Sequence, residues 1–366
     1  MKKILKLTLS LFLILSSLAL ACTGITIKTL DNKIVQGRTI EYGESNLNSK
    51  LVVSPRGKEY QSLTPDGKLA GYKWKGKYGY VGASLITGMF IGEGINEAGL
   101  NAGLFYFPHY GSLTKYDKKI SKKSIVDMQV VSWILSNFAT VDEVKEGLKK
   151  IKVVNIGYDE KGNPLPTAHW RVADSKGGNI VIEIVNNGKV KIHDNKIGVL
   201  TNSPDYQWHV KNLNNYINLY AGNAKNFNVN GQEFFSFGAG TGAMGLPGDI
   251  TPPSRFVRAF YFLNTMKPAE TSKEAINEAF HILNNFDLPI GVEYPAEHKS
   301  YIPKDLPSAT QWTAISSLND REFYYKTMYN SQIRKVDLKK IDFSTVKYTV
   351  LPLDEKPEEN IQEITF

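Results

Sequence analysis

The sequence has 366 residues, of which 42% are hydrophobic and 22% are charged, and its formal net charge is +8. This apolar fraction supports a large hydrophobic core. The basic residues are scattered among acidic ones and form no basic stripe of the kind that marks nucleic-acid binders, so a nucleic-acid partner is not expected.

Residues 1–21 have the form of a secretory signal peptide. Three lysines precede an apolar run over residues 7–15, and the leader ends with Ala-Leu-Ala at 19–21, which signal peptidase accepts. The apolar run is too short to span a bilayer, and no second long run follows. We therefore expect an exported, periplasmic or extracellular chain in which residues 22–366 form one domain, with no stable membrane insertion after processing. Its net charge would be +5, because three lysines leave with the leader.

Cys22 is the only cysteine, and it directly follows the predicted cleavage site. An unpaired cysteine in an exported chain indicates an intermolecular bridge or a reactive thiol. Three interpretations remain open: a small buried side chain, a lipoprotein with an acylated thiol, and an N-terminal nucleophile. The order Ala19, Leu20, Ala21 matches a lipoprotein signal only in part. In the third interpretation, cleavage frees an α-amino group, whose ordinary pKa of about 7.7–8.0 lets it serve as the base for its own thiol. The precursor would then be inactive.

Alternating apolar and polar residues predict strands along much of the chain. Short turn sequences, including a strong Asn-Asn-Gly hairpin signal, separate several of them, and the second group is expected to break at its glycines. In chain order, the predicted strands lie in residues 22–29 with 33–42, 78–107, 179–185 with 189–194, and 311–317 with 321–329.

Apolar residues at helical spacing predict five helices. Thr140 is expected to be the N-cap of the second helix. The predicted helices cover residues 124–139, 140–151, 206–220, 254–266 and 271–286. Strand hairpins toward both ends of the chain, with helices between them, favour two sheets covered by helices.

Several common motifs are absent or out of context. The sequence GTGAMG at 240–245 does not open a helix after a strand, as a dinucleotide site requires. The six histidines have no metal-ligand spacing, and His209 is expected to be structural. No G-x-S-x-G nucleophile elbow is present.

Five parts of the chain resemble the choloylglycine hydrolase family, which includes penicillin V acylases and bile salt hydrolases. They are Cys22 at the start of a strand, GRTIE at 37–41, INEAGLNAGLFYF at 95–107, VLTNSPDYQWH at 199–209 and GLPGDITPPSRF at 245–256. The resemblance implies an N-terminal nucleophile hydrolase with an α+β fold, a four-layer αββα sandwich. It also implies cleavage of a linear amide C–N bond in a small molecule, with no metal and no cofactor. Because related enzymes often form tetramers, a homotetramer is expected.

The resemblance also implies roles for individual residues. Cys22 matches the nucleophile and base, and Arg38 matches an arginine that favours the thiolate. Glu41 stands where the family usually has aspartate, which is expected to orient the N-terminal ammonium. Residues 38 and 41 would face opposite sides of a flat strand, so a shared site needs a bulge or bend.

Three further positions complete the catalytic site that the resemblance implies. Asn202 matches an oxyanion-hole asparagine, and one such donor is worth about 3–4 kcal/mol. Tyr106 matches the position whose backbone N–H is the second donor. Arg255 matches a second active-site arginine.

The aromatic sequence at Phe105, Tyr106 and Phe107 bears on the substrate. An aromatic wall would suit a phenoxyacetyl group, so a preference like that of a penicillin V acylase is predicted. These aromatic residues could instead belong to the core, with the pocket elsewhere. The alternatives on the same fold are a bile salt hydrolase and an N-acyl homoserine lactone acylase. An alternative of another class is a lipid-anchored binding protein without catalysis.

Overall fold

A computed structural model describes residues 20–42, 46–159, 162, 164–165, 167–292 and 310–366. The signal-peptide prediction rests on residues 1–21, of which 1–19 lie outside the described residues. Within the described ranges, no helix is both long enough and apolar enough to cross a membrane.

The strands of the described residues are numbered in chain order. They are β1 (Leu20–Lys28), β2 (Ile34–Tyr42), β3 (Lys50–Ser54), β4 (Glu59–Leu63), β5 (Leu69–Lys75), β6 (Tyr80–Leu85), β7 (Thr87–Asn96), β8 (Leu100–Tyr106), β9 (Ser124–Val126), β10 (Lys152–Val154), β11 (Ala168–Asp174), β12 (Asn179–Val185), β13 (Lys189–Asp194), β14 (Val199–Leu200), β15 (Phe227–Val229), β16 (Gln232–Phe234), β17 (Thr310–Ser317), β18 (Glu322–Thr327), β19 (Arg334–Asp337) and β20 (Thr349–Pro352).

The α-helices of the same residues are numbered separately. They are α1 (Val130–Asn137), α2 (Val141–Leu148), α3 (Tyr206–Asn212), α4 (Pro252–Thr265) and α5 (Ser272–Asn284). Three of them begin at a residue whose side chain caps the helix: Thr140, Asp205 and Thr271 accept hydrogen bonds from the backbone of α2, α3 and α5, respectively. The predicted cap at Thr140 is therefore confirmed.

Two large antiparallel sheets form the centre of the fold. The six-stranded sheet has the order β14-β1-β2-β17-β18-β19, and the eight-stranded sheet has the order β13-β12-β11-β8-β7-β6-β3-β20. Helices α4 and α5 pack on β1, β2 and β17, whereas α1 packs on β7 and β8. The two sheets meet between these helical layers, with β1 against β8. The predicted four-layer αββα arrangement is confirmed.

Burial along the central strands agrees with this layering. All nine residues of β2, all eight of β17 and all seven of β11 are buried. Alternate side chains of a strand point to opposite faces, so complete burial requires that both faces be covered. Polar side chains on these strands therefore lie in the interior and need internal partners.

The helix predicted over residues 124–139 begins six residues late. Ser124–Val126 instead form β9, which pairs in parallel with β10, and α1 starts only at Val130. The apolar residues of this segment fit both helical and strand spacing. Pairing with β10 selects the strand over the helix, and the local sequence does not specify that pairing.

The helix predicted over residues 206–220 ends early, at Asn212. A 3₁₀ turn follows over Leu213–Tyr216. Here the Asn214 side chain donates to the Lys211 carbonyl, and Asn215 donates to the Asn212 side chain. Such local hydrogen bonds compete with helix propagation.

The expectation that the strands of residues 78–107 break at glycines is met only in part. The chain turns at Gly99, but its other turn lies near Ile86, which has a φ of 63°. Gly94 lies inside β7, where a Cβ atom would sit 2.8 Å from Cδ1 of Leu135 in α1. The missing side chain lets this helix approach the sheet closely.

Candidate active site

Cys22 and Arg38 lie on the same face of the β1–β2 pair. Cys22 is opposite Ile40 and Arg38 is opposite Gly24, so the two side chains point between the sheets. Nη2 of Arg38 is 2.7 Å from Sγ of Cys22, and Nη1 of Arg38 donates to the carbonyl of Leu104 on β8 at 2.5 Å. The guanidinium is therefore fixed from both sheets, with the thiol at one end.

The state of the thiol reflects competing influences. Complete burial raises the pKa of Cys22, and the charge of Glu41 raises it further. Arg38 and Arg255 lower that pKa, but burial outweighs them and the pKa lies above its ordinary value. Arg38 therefore lowers the pKa of the thiol, as expected, but does not outweigh the effect of burial. This holds for the chain in which Cys22 is still joined to Ala21.

Asn202 connects the backbone of Cys22 to two other site residues. Its Oδ1 accepts from the Cys22 backbone nitrogen at 2.8 Å and from Nη2 of Arg255 at 2.8 Å. Its Nδ2 donates to the carbonyl of Tyr106 at 2.9 Å. Strand β14 holds this residue in place, because Leu200 pairs with Gly24 on β1.

Arg255 lies in the first turn of α4, where Pro252 provides a favourable first position for a helix. Its Nη1 donates to the Cys22 carbonyl at 2.5 Å and to Oγ1 of Thr23 at 2.8 Å. Its Nε donates to the carbonyl of Ile250 at 2.8 Å. Helix α4 thus brings a fully buried guanidinium to the residue that carries the thiol.

Tyr106 ends β8 beside the thiol. A hydrogen bond from its backbone lowers the pKa of Cys22, so the Tyr106 amide lies next to the sulfur. This places the residue where the resemblance expects the second oxyanion donor.

Glu41 lies on the other face of β2. The β1–β2 register is unbroken over the described strands, so β2 has no bulge that would bring Glu41 to the face of Arg38. The neighbouring β17 has a register shift between Thr310 and Trp312. Oε1 of Glu41 lies 3.4 Å from Oγ1 of Thr310, and that hydroxyl donates to the carbonyl of Phe286, after α5, at 2.9 Å. The Glu41 backbone pairs with Ala21, which precedes Cys22. Its charge therefore still reaches the thiol, although its side chain faces the helical layer.

The aromatic residues around Tyr106 belong mostly to the core. Phe105 and Phe107 are both fully buried. Phe105 lies 4.3 Å below the Arg38 guanidinium, and Phe107 stacks on His169 with ring centroids 4.4 Å apart. The expected aromatic wall is therefore wrong for two of its three residues, which removes the structural reason for favouring a phenoxyacetyl group.

His209 contacts the backbone of Asn202 and not the thiol, which agrees with its predicted structural role. Its Nε2 lies 2.9 Å from the carbonyl of Asn202, and its ring stacks on Phe256. Burial lowers the pKa of His209 to about 4, so the ring is neutral near pH 7. No cluster of three or more metal-ligating side chains occurs among the described residues.

Two charged residues near the thiol were missed by sequence reasoning. Glu93 and Arg171 lie between the sheets and are almost fully buried. The available signal was a charged residue in the middle of a largely apolar strand, in FIGEGIN and in AHWRVAD. Local pattern could not show that these two strands are close in space.

Comparison with known proteins decides the family. The model for linear amide C–N hydrolases of the choloylglycine hydrolase family matches residues 22–351. The chain belongs to the choloylglycine hydrolase family. It is 36% identical over 321 residues to a bile salt hydrolase/transferase of Clostridium perfringens, covering 87% of this chain and 93% of the relative.

A solved structure and a more distant relative complete the comparison. The fold matches a crystal structure of a conjugated bile acid hydrolase mutant from Clostridium perfringens, with a TM-score of 0.78 and 30% identity. That match covers 94% of this chain and 100% of the other. A penicillin V acylase of Pectobacterium atrosepticum is 26% identical, over 94% of this chain and 88% of the relative. The predicted hydrolase class is confirmed, but the preference for penicillin V is not favoured, because the bile salt hydrolases are more similar.

Proposed function

We propose that this linear amide hydrolase cleaves the amide bond of conjugated bile salts, with Cys22 as nucleophile. The proposal rests on one observation: the sulfur and the backbone nitrogen of Cys22 are each held by a different side chain. Arg38 contacts the sulfur of Cys22, and Asn202 contacts its nitrogen. The substrate class rests on the 36% identity to a bile salt hydrolase/transferase.

The first half of the reaction forms a thioester. The free α-amino group of Cys22 takes the thiol proton, and the sulfur attacks the amide carbon. The resulting oxyanion accepts hydrogen bonds from the Tyr106 backbone N–H and from the second amide hydrogen of Asn202, whose first hydrogen is engaged by the Tyr106 carbonyl. The ammonium then gives its proton to the leaving amine, and the C–N bond breaks.

Water completes the cycle. The α-amino group removes a proton from water, which attacks the thioester carbon, and the same two donors stabilise the second oxyanion. Collapse of this intermediate breaks the C–S bond, and the thiolate recovers a proton from the ammonium. The products are the free acid and the amine, and no other reagent is consumed.

Processing is part of the same proposal. In the described chain the Cys22 nitrogen is an amide that donates to Asn202, and an amide nitrogen does not accept a proton at working pH. Removal of residues 1–21 would convert it to an amine and start activity. Export to the periplasm or the extracellular space, predicted from the leader sequence, remains part of this proposal. Intact mass tests it, because a lipid adduct on Cys22 would instead support the anchored binding protein.

We also propose that the active form is a homotetramer. The hairpin of β15 and β16 carries the exposed, stacked rings of Phe227 and Phe234, and Phe237 nearby is 96% exposed. Contiguous exposed aromatic surface on a soluble protein marks an interaction site. Light scattering of the purified protein measures the mass, and a monomer at all concentrations would contradict the tetramer.

The substrate is tested with a panel of four amides. Glycocholate, taurocholate, penicillin V and a long-chain N-acyl homoserine lactone are compared by amine release at one enzyme concentration, with Cys22→Ala as the blank. We expect the highest kcat/KM for a conjugated bile salt. A tenfold preference for penicillin V or for the lactone would overturn the substrate assignment and leave the nucleophile in place. Turnover by Cys22→Ala would overturn the nucleophile.

A further inference from the structure

A buried group of charged side chains lies between the two sheets, next to the thiol. It consists of Arg38 on β2, Glu93 on β7 and Arg171 on β11, each at most 2% exposed. Of the three, only Arg38 touches Cys22. Glu93 and Arg171 have no part in the chemistry described above, yet burying an ion pair of this kind is costly unless it is well bonded.

Glu93 lies closer to Arg171 than to Arg38. Its Oε1 is 3.2 Å from Nη2 of Arg171 and also accepts from Nδ2 of Asn101 at 2.7 Å. Its Oε2 is 3.9 Å from Nη1 of Arg38 and has no hydrogen-bond donor in the described part of the chain. Glu93 is therefore bonded to Arg171 and acts on Arg38 mainly through its charge.

Arg171 also holds the pair of strands that carries the site. Its Nη1 donates to the carbonyl of Ile25 at 3.1 Å and to the carbonyl of Gly37 at 3.0 Å. Ile25 and Gly37 face each other across β1 and β2. One guanidinium from the eight-stranded sheet thus binds both strands, one residue before Arg38 and three residues after Cys22.

Two glycines make room for this group. A Cβ on Gly24 would lie 2.7 Å from Nη1 of Arg171, and a Cβ on Gly103 would overlap the Glu93 carboxylate. The ring of Phe105 lies against both guanidiniums, 4.3 Å from that of Arg38 and 5.5 Å from that of Arg171. The interior is therefore shaped around these charges.

The net charge of this group is opposite in sign to that of the thiolate. Arg38, Arg171 and Glu93 together carry one positive charge, and ionised Cys22 makes the total zero. Without Arg171, the charge of Glu93 would be balanced by Arg38 alone, and this group would no longer supply a net positive charge to the thiolate. Charges act strongly on one another where water is excluded, so this difference reaches the sulfur.

We infer that Arg171 is a positioning residue for the nucleophile: it neutralises Glu93 and holds β1 to β2, so that the charge of Arg38 remains available to the Cys22 thiolate. The inference rests on the proposed role of Cys22. Titration of the thiol needs no substrate, so failure of the inference is distinguishable from failure of the proposed function.

Other ionisable groups surround the thiol and are the same in every variant. In the protein that begins at Cys22, they include its own α-amino group, whose ordinary pKa is about 7.7–8.0. Glu41 and Arg255 act on Cys22 from β2 and α4. His169 and His209 lie nearby, where they hydrogen-bond the carbonyls of consecutive residues, Thr201 and Asn202.

The first experiment titrates the thiol in the protein that begins at Cys22. The chain has one cysteine, so ultraviolet absorbance of the thiolate, with the Cys22→Ala spectrum subtracted, reports a single group. The pH dependence of iodoacetamide alkylation gives a second measurement. In Arg171→Met we expect the thiol pKa to rise and kcat/KM at neutral pH to fall about tenfold. In Glu93→Gln we expect the thiol pKa to fall.

The double variant Glu93→Gln/Arg171→Met separates charge from structure. It removes one charge of each sign. The positive charge of Arg38 is then no longer balanced by Glu93 and is available to the thiolate again. We expect its thiol pKa to return toward the unmodified value, whereas a purely structural role predicts that it is no better than Arg171→Met. Arg171→Lys keeps the charge and should restore most of the pH profile.

A surface pair supplies the matched control. Arg56 bonds Glu97 at a site where the arginine is 53% exposed, so Arg56→Met should leave the thiol titration unchanged. Melting temperatures confirm that each variant is folded. The inference is overturned if folded Arg171→Met titrates like the unmodified protein, or if the double variant is as impaired as Arg171→Met.

Discussion

Replacement of Asn202 by alanine tests the site most directly. The Asn202 side chain has three partners: the Cys22 nitrogen, the Arg255 guanidinium and the Tyr106 carbonyl. Arg255 keeps its bonds to Cys22, Thr23 and Ile250 when this side chain is removed, so its position should be retained. The main loss is then the donor to the oxyanion.

The size of the effect follows from that loss. One oxyanion-hole donor is worth about 3–4 kcal/mol, so kcat for Asn202→Ala should fall by roughly 10²–10³. The donor acts in the transition state, and KM should therefore change little. Loss of a hydrogen bond to the charged Arg255 side chain should also lower stability by about 1.5–3 kcal/mol.

The assay is steady-state hydrolysis of the preferred amide, with a melting curve for each variant. Asn202→Asp keeps the oxygen that accepts from Cys22 and Arg255 but lacks the donor, so it should be at least as impaired as Asn202→Ala. Asn214→Ala changes an exposed asparagine that bonds only locally and should be normal. The reasoning is refuted if folded Asn202→Ala keeps kcat within threefold of the unmodified enzyme.

Three further predictions concern charge and processing. A variant that retains Ala21 should show no turnover above the Cys22→Ala background, because the Cys22 nitrogen stays an amide. Its mass is confirmed before the assay, and normal activity would exclude the N-terminal amine as base. The charge of Glu41 raises the pKa of Cys22, so Glu41→Gln should move the pH profile of alkylation to lower pH. Glu41→Asp should leave this profile and the activity unchanged. An unchanged profile in Glu41→Gln would contradict the effect of the Glu41 charge on the thiol. Burial holds the pKa of His209 at about 4, below its unfolded value of 6.5, so its contribution to stability is complete above pH 6.5 and is lost as the pH falls to 4. Urea unfolding of His209→Gln at both ends of that range should show a smaller acid loss, and an equal loss would count against this explanation.

Elements with strong local signals were predictable from sequence. Asn186 and Asn187 adopt positive φ values before Gly188, and the hairpin of β12 and β13 forms around them as the Asn-Asn-Gly turn predicts. Helices with a good N-cap, such as α2, also begin where the sequence indicates. Errors arose where contacts distant in sequence prevailed, as in Ser124–Val126, where pairing with β10 replaces a helix.

The candidate site was predictable only through the segments that resemble the family. Those segments name Cys22, Arg38, Asn202 and Arg255, and the fold brings these four side chains together from β1, β2, the end of β14 and the start of α4. The same segments also name Glu41, which lies on the opposite face because β2 continues without a bulge. The face of a strand residue depends on register, which the sequence of one strand does not specify.

By itself, the sequence determined the position of the only thiol, the turn and cap signals, and membership of a family with this fold. These depend on residue identity and on short-range interactions, which are written in consecutive residues. The tertiary structure alone decided that Phe105 and Phe107 are core residues, and that Arg171 bonds Glu93, 78 positions away in the chain. The physical reason is that burial and charge pairing depend on which surfaces of two sheets meet, and that outcome belongs to the packing of the whole chain.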